Sequence, residues 1–217
     1  AWTPGLDSFL SAEGIQWFLV NPRGLREGDT RPFFDSANPV LTPAGVAAFP
    51  IDPETRAKIW SRENGFPGAP NYKEWYRDLG YDADWDYLPD YWKTAGVRRN
   101  TGIKYYRITG RGVDLGGKGY YVPEWADETR EGQAAQFVFE RGAQANYFFE
   151  KHGGRKPCVV SAYDAELFGH WWEEGPGFIE SVFRKLLWDQ SVVRPATPSE
   201  YLAENPHHQR MTPGASS

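Results

Sequence analysis

Three short apolar runs set the first constraint on this chain: Ile15 to Val20, broken only by Gln16, then Val46 to Ile51, then Pro157 to Val160. A strand without polar alternation is one buried on both faces, as in a parallel sheet covered by helices. Helical patterns lie between the runs. Pro4 to Gly14 opens with a proline and closes with a glycine, and Asp52-Pro53 is a helix start before Lys58 to Trp60. Tyr72 to Leu79 reads as a helix, and Pro123 to Lys151 carries Gln133, Phe137, Glu140, Gln144 and Tyr147 at spacings of three and four. Gly102 to Thr109 reads as a further strand with Lys104 near its end. A helix from Gly177 to Trp188 and a short one begun by Thr197-Pro198-Ser199-Glu200 follow. This alternation predicts an α/β fold. Four or five strands are too few to close an eight-stranded barrel, so the sheet is open or further strands complete it.

Aromatic residues make up 16% of the chain, with 10 Trp and 12 Tyr among its 217 residues. Many flank Gly, Pro and charged residues in expected loops, which favours a ring-lined surface over a purely apolar core. Residues 21–45, rich in Gly, Pro, Asp and Asn and bearing Phe33 and Phe34, form a lid candidate. A net charge of −5 and the lack of a basic run give no reason to expect nucleic acid. No stretch approaches the roughly 20 apolar residues of a membrane span. The one cysteine, Cys158, sits in an apolar run, is expected to be inert, and suits a reducing cytoplasm. No metal site is expected: His170 has no ligand at metal-binding spacing, and His207-His208 lies in a polar tail.

The run at 157–160 leads into SAYDAELFGHWWEEGP at 161–176. A carboxylate just past a parallel strand, followed by indole rings, is where an α/β barrel keeps catalytic groups, and ring faces hold sugars. Asp164 is therefore either a catalytic carboxylate or the N-cap of a following helix. Glu166, two residues on, shares a side with Asp164 if the segment is extended. Trp171 and Trp172 are adjacent and must point apart, one into the core and one towards a ligand. Arg77 and Asp78 read as an exposed ion pair or a helix end, and Lys104 as a surface lysine or a donor to sugar hydroxyls.

The segment at 161–176 resembles the family 57 glycoside hydrolases, and within them the α-1,4-glucan branching enzymes. RENGFPGAPNYKEWYRDLGYD at 62–82, TGIKYYRITG at 101–110 and TPSEYLAENP at 197–206 are similar to further stretches of that family. The resemblance covers nearly the whole chain. It implies a partial (β/α)7-type barrel whose N-terminal strands are missing, with residues 1–189 its C-terminal portion and 190–217 the loop-rich start of a helical C-terminal domain. It also implies retaining chemistry on an α-glucan without a cofactor. Asp164 matches the general acid/base. Arg77, Tyr81, Lys104, His170, Trp171 and Trp172 become candidate substrate-binding residues. The same resemblance puts the nucleophilic glutamate just upstream of a segment like AWTPGLDSFL, hence before Ala1, on a missing N-terminal half that would act as partner. An α-amylase or 4-α-glucanotransferase of the same family is the near alternative, and a non-catalytic α-glucan-binding domain the more distant one.

Retaining transfer needs two carboxyls roughly 5–5.5 Å apart, one to attack the anomeric carbon and one to move the proton. Asp164 supplies the second role alone. The purified 217-residue chain is therefore expected to show no turnover of amylose in a reducing-end or branching assay; clear activity would refute this assignment.

Overall fold

A computed structural model of the chain describes residues 2–61 and 64–216. Arg62 and Glu63, which open the 62–82 stretch, lie outside the described residues. The chain divides into two compact units, one comprising Ala1–Lys58, Gln136–Tyr163 and Phe183–Ser217, the other Ile59–Ala135 and Asp164–Val182.

The first unit is built on a three-stranded sheet in the order β1-β3-β2, where β1 is Trp17–Val20, β2 Val40–Leu41 and β3 Ala47–Pro50. β1 pairs with β3 in parallel, Trp17 against Ala47 through Val20 against Pro50, and β2 lies antiparallel on the other side. The all-apolar strand 46–51 is thus central, and all four residues of β3 are buried. Alternation along β3 serves two cores. On one face Ala48 joins Trp2, Val20, Leu25, Val40 and Met211. On the other, Ala47 and Phe49 meet Tyr201, with Trp17, Leu41 and Cys158 packed around them. Residues 200–211 therefore complete the sheet's own core.

The helix expected from Pro4 starts two residues later, as α1 (Leu6–Ala12), because Gly5 has φ 91°. Residues 21–45 are not structureless: Asn21 caps α2 (Pro22–Arg26) by accepting the Arg23 amide at 3.0 Å, with Pro22 at the first helical position. The strand expected at 157–160 contracts to one parallel bridge, Ile51 to Val160, with Asp52 N donating to Val160 O at 2.8 Å. Pro157 has no amide to extend the ladder. Helices α3 (Pro53–Trp60), α6 (Pro123–Lys151), α7 (Gly175–Trp188) and α8 (Pro198–Glu204) lie close to their expected places, α8 with a capping box between Thr197 and Glu200. The remaining two helices, α4 (Leu79–Asp82) and α5 (Asp90–Ala95), are short.

Side chains, more than a sheet, hold the second unit together. Trp172 packs on Phe178 at 4.9 Å, Tyr72 at 5.7 Å and Phe168 at 5.9 Å, and Phe178 on Phe66 at 5.7 Å. Tyr72, fully buried, donates its hydroxyl to Gln133 of α6 at 2.6 Å. The helix expected over 72–79 does not form. Its backbone instead pairs irregularly with 105–108: Glu74 N donates to Tyr106 O and Ile108 N to Tyr72 O, both at 2.8 Å. Tertiary pairing overrides local pattern here. The expected strand at 102–109 is likewise reduced to isolated bridges, Lys73 to Arg107 and Tyr106 to Tyr120, and ends at Thr109 with φ 68°. Among the described residues no helix is long and apolar enough to cross a membrane.

Removing the Phe49 ring from the centre of β3 is expected to destabilise the chain by about 3–5 kcal/mol. Urea unfolding of Phe49→Ala measures this; an unchanged midpoint would place the core elsewhere.

Candidate active site

Asp164 follows the strand-like segment that ends in Val160. Just before it, Tyr163 is anchored through its hydroxyl to Thr55 O at 3.1 Å. Ala165–Leu167 then form a single 3-10 turn, and Asp164 stands at its start with φ −68° and ψ 129°. Its side chain makes no capping hydrogen bond and is exposed. The helix-cap alternative is thus not the use made of this carboxylate. Glu166 lies inside the turn, so the extended geometry that would put it on Asp164's side is not present.

Beyond the turn the chain doubles back tightly. Gly169 N donates to Trp172 O and Trp172 N to Leu167 O, both at 2.8 Å. The bend needs Gly169 at φ 93°, a region costly for other residues. His170 and Trp171 form the tip. Of the two adjacent tryptophans, Trp172 enters the core with 2% of its surface exposed, while Trp171 keeps 52%. Trp172 is therefore a packing residue and not a substrate contact.

A half-buried tryptophan not singled out by the sequence completes the group. Trp75, on the segment misread as helix, lies 4.7 Å from the Trp171 ring and 5.0 Å from His170, and those two rings are 5.2 Å apart. Lys104 adds its ammonium 5.3 Å from the Trp75 ring centre. The segment bearing Trp75 is tied to the Asp164 loop from below. Glu174 accepts the Lys73 amide at 3.0 Å, and Glu173 pairs with Lys73 Nζ at 2.6 Å. Burial raises the Glu174 pKa, a pull that the Lys73 amide opposes.

Arg77 and Asp78 do not form the exposed pair expected of them. Arg77 pairs with Asp82 at 2.7 Å, donates to Leu115 O at 2.7 Å and lies 3.4 Å over the Tyr106 ring. It braces the 106–116 region. Asp78 is fully buried. It caps α4 through the Gly80 amide at 2.8 Å, accepts from Thr101 N at 2.8 Å, Thr101 Oγ1 at 2.9 Å and Gly102 N at 3.0 Å, and pairs with Lys104 Nζ at 3.1 Å. Burial alone would raise its pKa; the Thr101 and Gly80 amides, the Thr101 hydroxyl and Lys104 outweigh that and hold it well below the carboxylate range. Tyr81, on α4, is 55% exposed. The structure thus gathers Lys104, His170 and Trp171 with Trp75 into one group, buries Trp172 in the core and ties Arg77 to Asp82 and Leu115 O. Among the described residues no cluster of three His, Cys, Asp or Glu side chains is disposed to hold a metal.

No family profile matches the chain. It is 32% identical over 213 residues to the 1,4-alpha-glucan branching enzyme of Thermococcus kodakarensis, a match covering 92% of this chain and 28% of that protein. It is also 32% identical over 209 residues to a probable 1,4-alpha-glucan branching enzyme of Mycobacterium tuberculosis, covering 94% of this chain and 34% of the relative. The chain therefore spans about a third of the length of these relatives. Among solved structures, the alpha-amylase AmyC of Thermotoga maritima superposes on all of it with TM-score 0.92 and 38% identity, over 41% of that enzyme's chain. A GH57-type branching enzyme of Pyrococcus horikoshii does so with TM-score 0.80 and 29% identity, over 36% of its chain.

A carboxylate with a depressed pKa contributes stability that is fully present above the unfolded value, near 4, and is lost as pH falls towards the folded value. Asp78→Ala is expected to lower stability at pH 7 by about 3–5 kcal/mol, the range for leaving a buried partner unpaired. The gap to wild type should narrow below pH 4. Urea unfolding at pH 7 and pH 3 checks both statements, and equal stabilities at pH 7 would contradict them.

Proposed function

From a chain related over its whole length to about a third of the GH57 1,4-α-glucan branching enzymes, we propose that these residues carry the general acid/base of a retaining α-glucan-active enzyme, a branching enzyme in the first place. The carrying observation is Asp164: a carboxylate free of capping duties that opens the loop presenting His170 and Trp171. In this reading Asp164 protonates the departing glycosidic oxygen while a glutamate outside these residues attacks the anomeric carbon. Asp164 then takes the proton from the incoming sugar 6-hydroxyl. Trp171 and Trp75 offer ring faces to the glucan, with Tyr81 a further platform. The three-stranded sheet and its parallel bridge to Val160 belong to a (β/α)7-type barrel. Residues 1–189 form its later part, and 190–217 lead towards the region that follows while still packing Tyr201 and Met211 into the sheet's core.

The likeness to an α-amylase, with TM-score 0.92, supports a second reading in which water replaces the 6-hydroxyl as acceptor. The two differ in the fate of the glycosyl-enzyme and share every role assigned to Asp164. A domain that only binds glucan would use the rings and leave Asp164 without work.

In a polypeptide extended upstream through the nucleophile, Asp164→Asn is expected to lower turnover of amylose about 100- to 10,000-fold. Maltoheptaose binding should stay within about twofold. Iodine staining and reducing-end release together tell branching from hydrolysis. Turnover unchanged by Asp164→Asn would overturn the reading, and so would a variant that altered affinity alone.

A further inference from the structure

Two stretches of the second unit, 78–83 and 98–104, are laced together around one buried carboxylate. Asp78 takes four hydrogen bonds, from Gly80, Thr101 twice and Gly102, and its Oδ2 also faces the Lys104 ammonium. Alongside, Leu79 N donates to Ile103 O at 3.0 Å, and Arg98 Nη1 donates to Gly80 O at 3.0 Å and Ala83 O at 2.8 Å. The two stretches approach so closely that a Cβ on Gly80 would sit 1.9 Å from Arg99 O. These backbone contacts are enough to shape the turn. The pairing with Lys104 does something else, because it fixes the end of a long, otherwise mobile side chain. With 13% of its side chain exposed, Lys104 is held between Asp78 and the Trp75 ring, and Trp75 in turn meets Trp171 and His170.

We propose that Asp78 is a positioning residue for the glucan-binding surface: its carboxylate pins the Lys104 ammonium against Trp75 and so sets how that indole meets Trp171 and His170. This rests on the reading of Trp171 as a sugar contact. Lys104 then works through Trp75 by cation–π attraction, which strengthens as the cation loses water, and not as a free donor to sugar hydroxyls. Asp78 never touches the glucan.

Acetylation of the 217-residue chain with acetic anhydride, read lysine by lysine by mass spectrometry, tests the link without any ligand. Lys104 should label at least about tenfold more slowly than the exposed Lys156 in wild type. In Asp78→Asn it should speed up about tenfold, with Lys156 unchanged. In parallel, maltoheptaose titrations followed by tryptophan fluorescence should show affinity about tenfold weaker for Asp78→Asn. Lys104→Met keeps the stem and all four hydrogen bonds to Asp78; it should reproduce that loss in a chain whose cooperative melt, even if shifted down, shows it folded at the titration temperature. Lys104 protection unchanged in Asp78→Asn, or wild-type affinity in Lys104→Met, would overturn the proposal. If labelling rises at Lys156 too, the variant has lost its fold and Lys104→Met decides. If wild type itself fails to bind maltoheptaose, the glucan reading falls, while the Lys104 labelling still decides the role of Asp78.

Discussion

Parallel pairing of β1 with a fully buried β3 is the constraint on which the first unit depends. A parallel strand buried on both faces must be covered on both, and this chain does so with residues far apart in sequence. Trp2, Leu25 and Met211 close one side, and Tyr201 with Cys158 and Val160 closes the other. Tyr201, Leu202 and Met211 of the tail are therefore core material for the sheet. Burial pushes the Cys158 thiol and the Tyr201 hydroxyl each up to about 12, so both stay neutral near pH 7. Because Val160 bridges Ile51 in parallel, the chain leaves that bridge in the direction in which β3 ends. Asp164 follows four residues later. At the end of β3, Asp52 caps α3 through the Glu54 and Thr55 amides, and Gln144 and Arg141 surround its carboxylate.

Polar staples replace strands in the second unit. Asp78 and Glu174 are both buried carboxylates that accept backbone amides, yet their environments drive them apart. Asp78 has enough donors to stay ionised well into acid, whereas burial dominates at Glu174 and raises it. Each ties an irregular loop to its neighbour. The exposed ring of Trp171, with the half-buried Trp75 beside it, is the outward face of that arrangement, and the buried cluster of Trp172, Phe178 and Tyr72 its inward face.

The sequence makes the sheet legible because an uninterrupted apolar run such as 46–51 has few other uses. The long α6 is legible for the same reason, its period of three and four being sustained over many turns. What fails is local pattern in the second unit. Tyr72, Trp75 and Leu79 carry a helix-like spacing, but their backbone is taken up by a partner some 30 residues away, and periodicity has no access to such pairing. Trp75 was lost with that misreading. The difference between Trp171 and Trp172 is equally invisible in one dimension, since it depends on the turn at Gly169. An exposed ion pair or a helix end were the two readings open for Asp78; its cap on the later helix α4, its burial and its hold on Lys104 were not legible.

The role proposed for Asp164 is delivery of a proton to a glycosidic oxygen. A crystal structure of the nucleophile-containing polypeptide with a bound maltooligosaccharide tests it most directly. The account predicts an Asp164 carboxyl oxygen within about 2.6–3.2 Å of an interglycosidic oxygen, with the neighbouring sugars against Trp171. A well-ordered oligosaccharide lying on the rings with Asp164 out of reach of every glycosidic oxygen would contradict it.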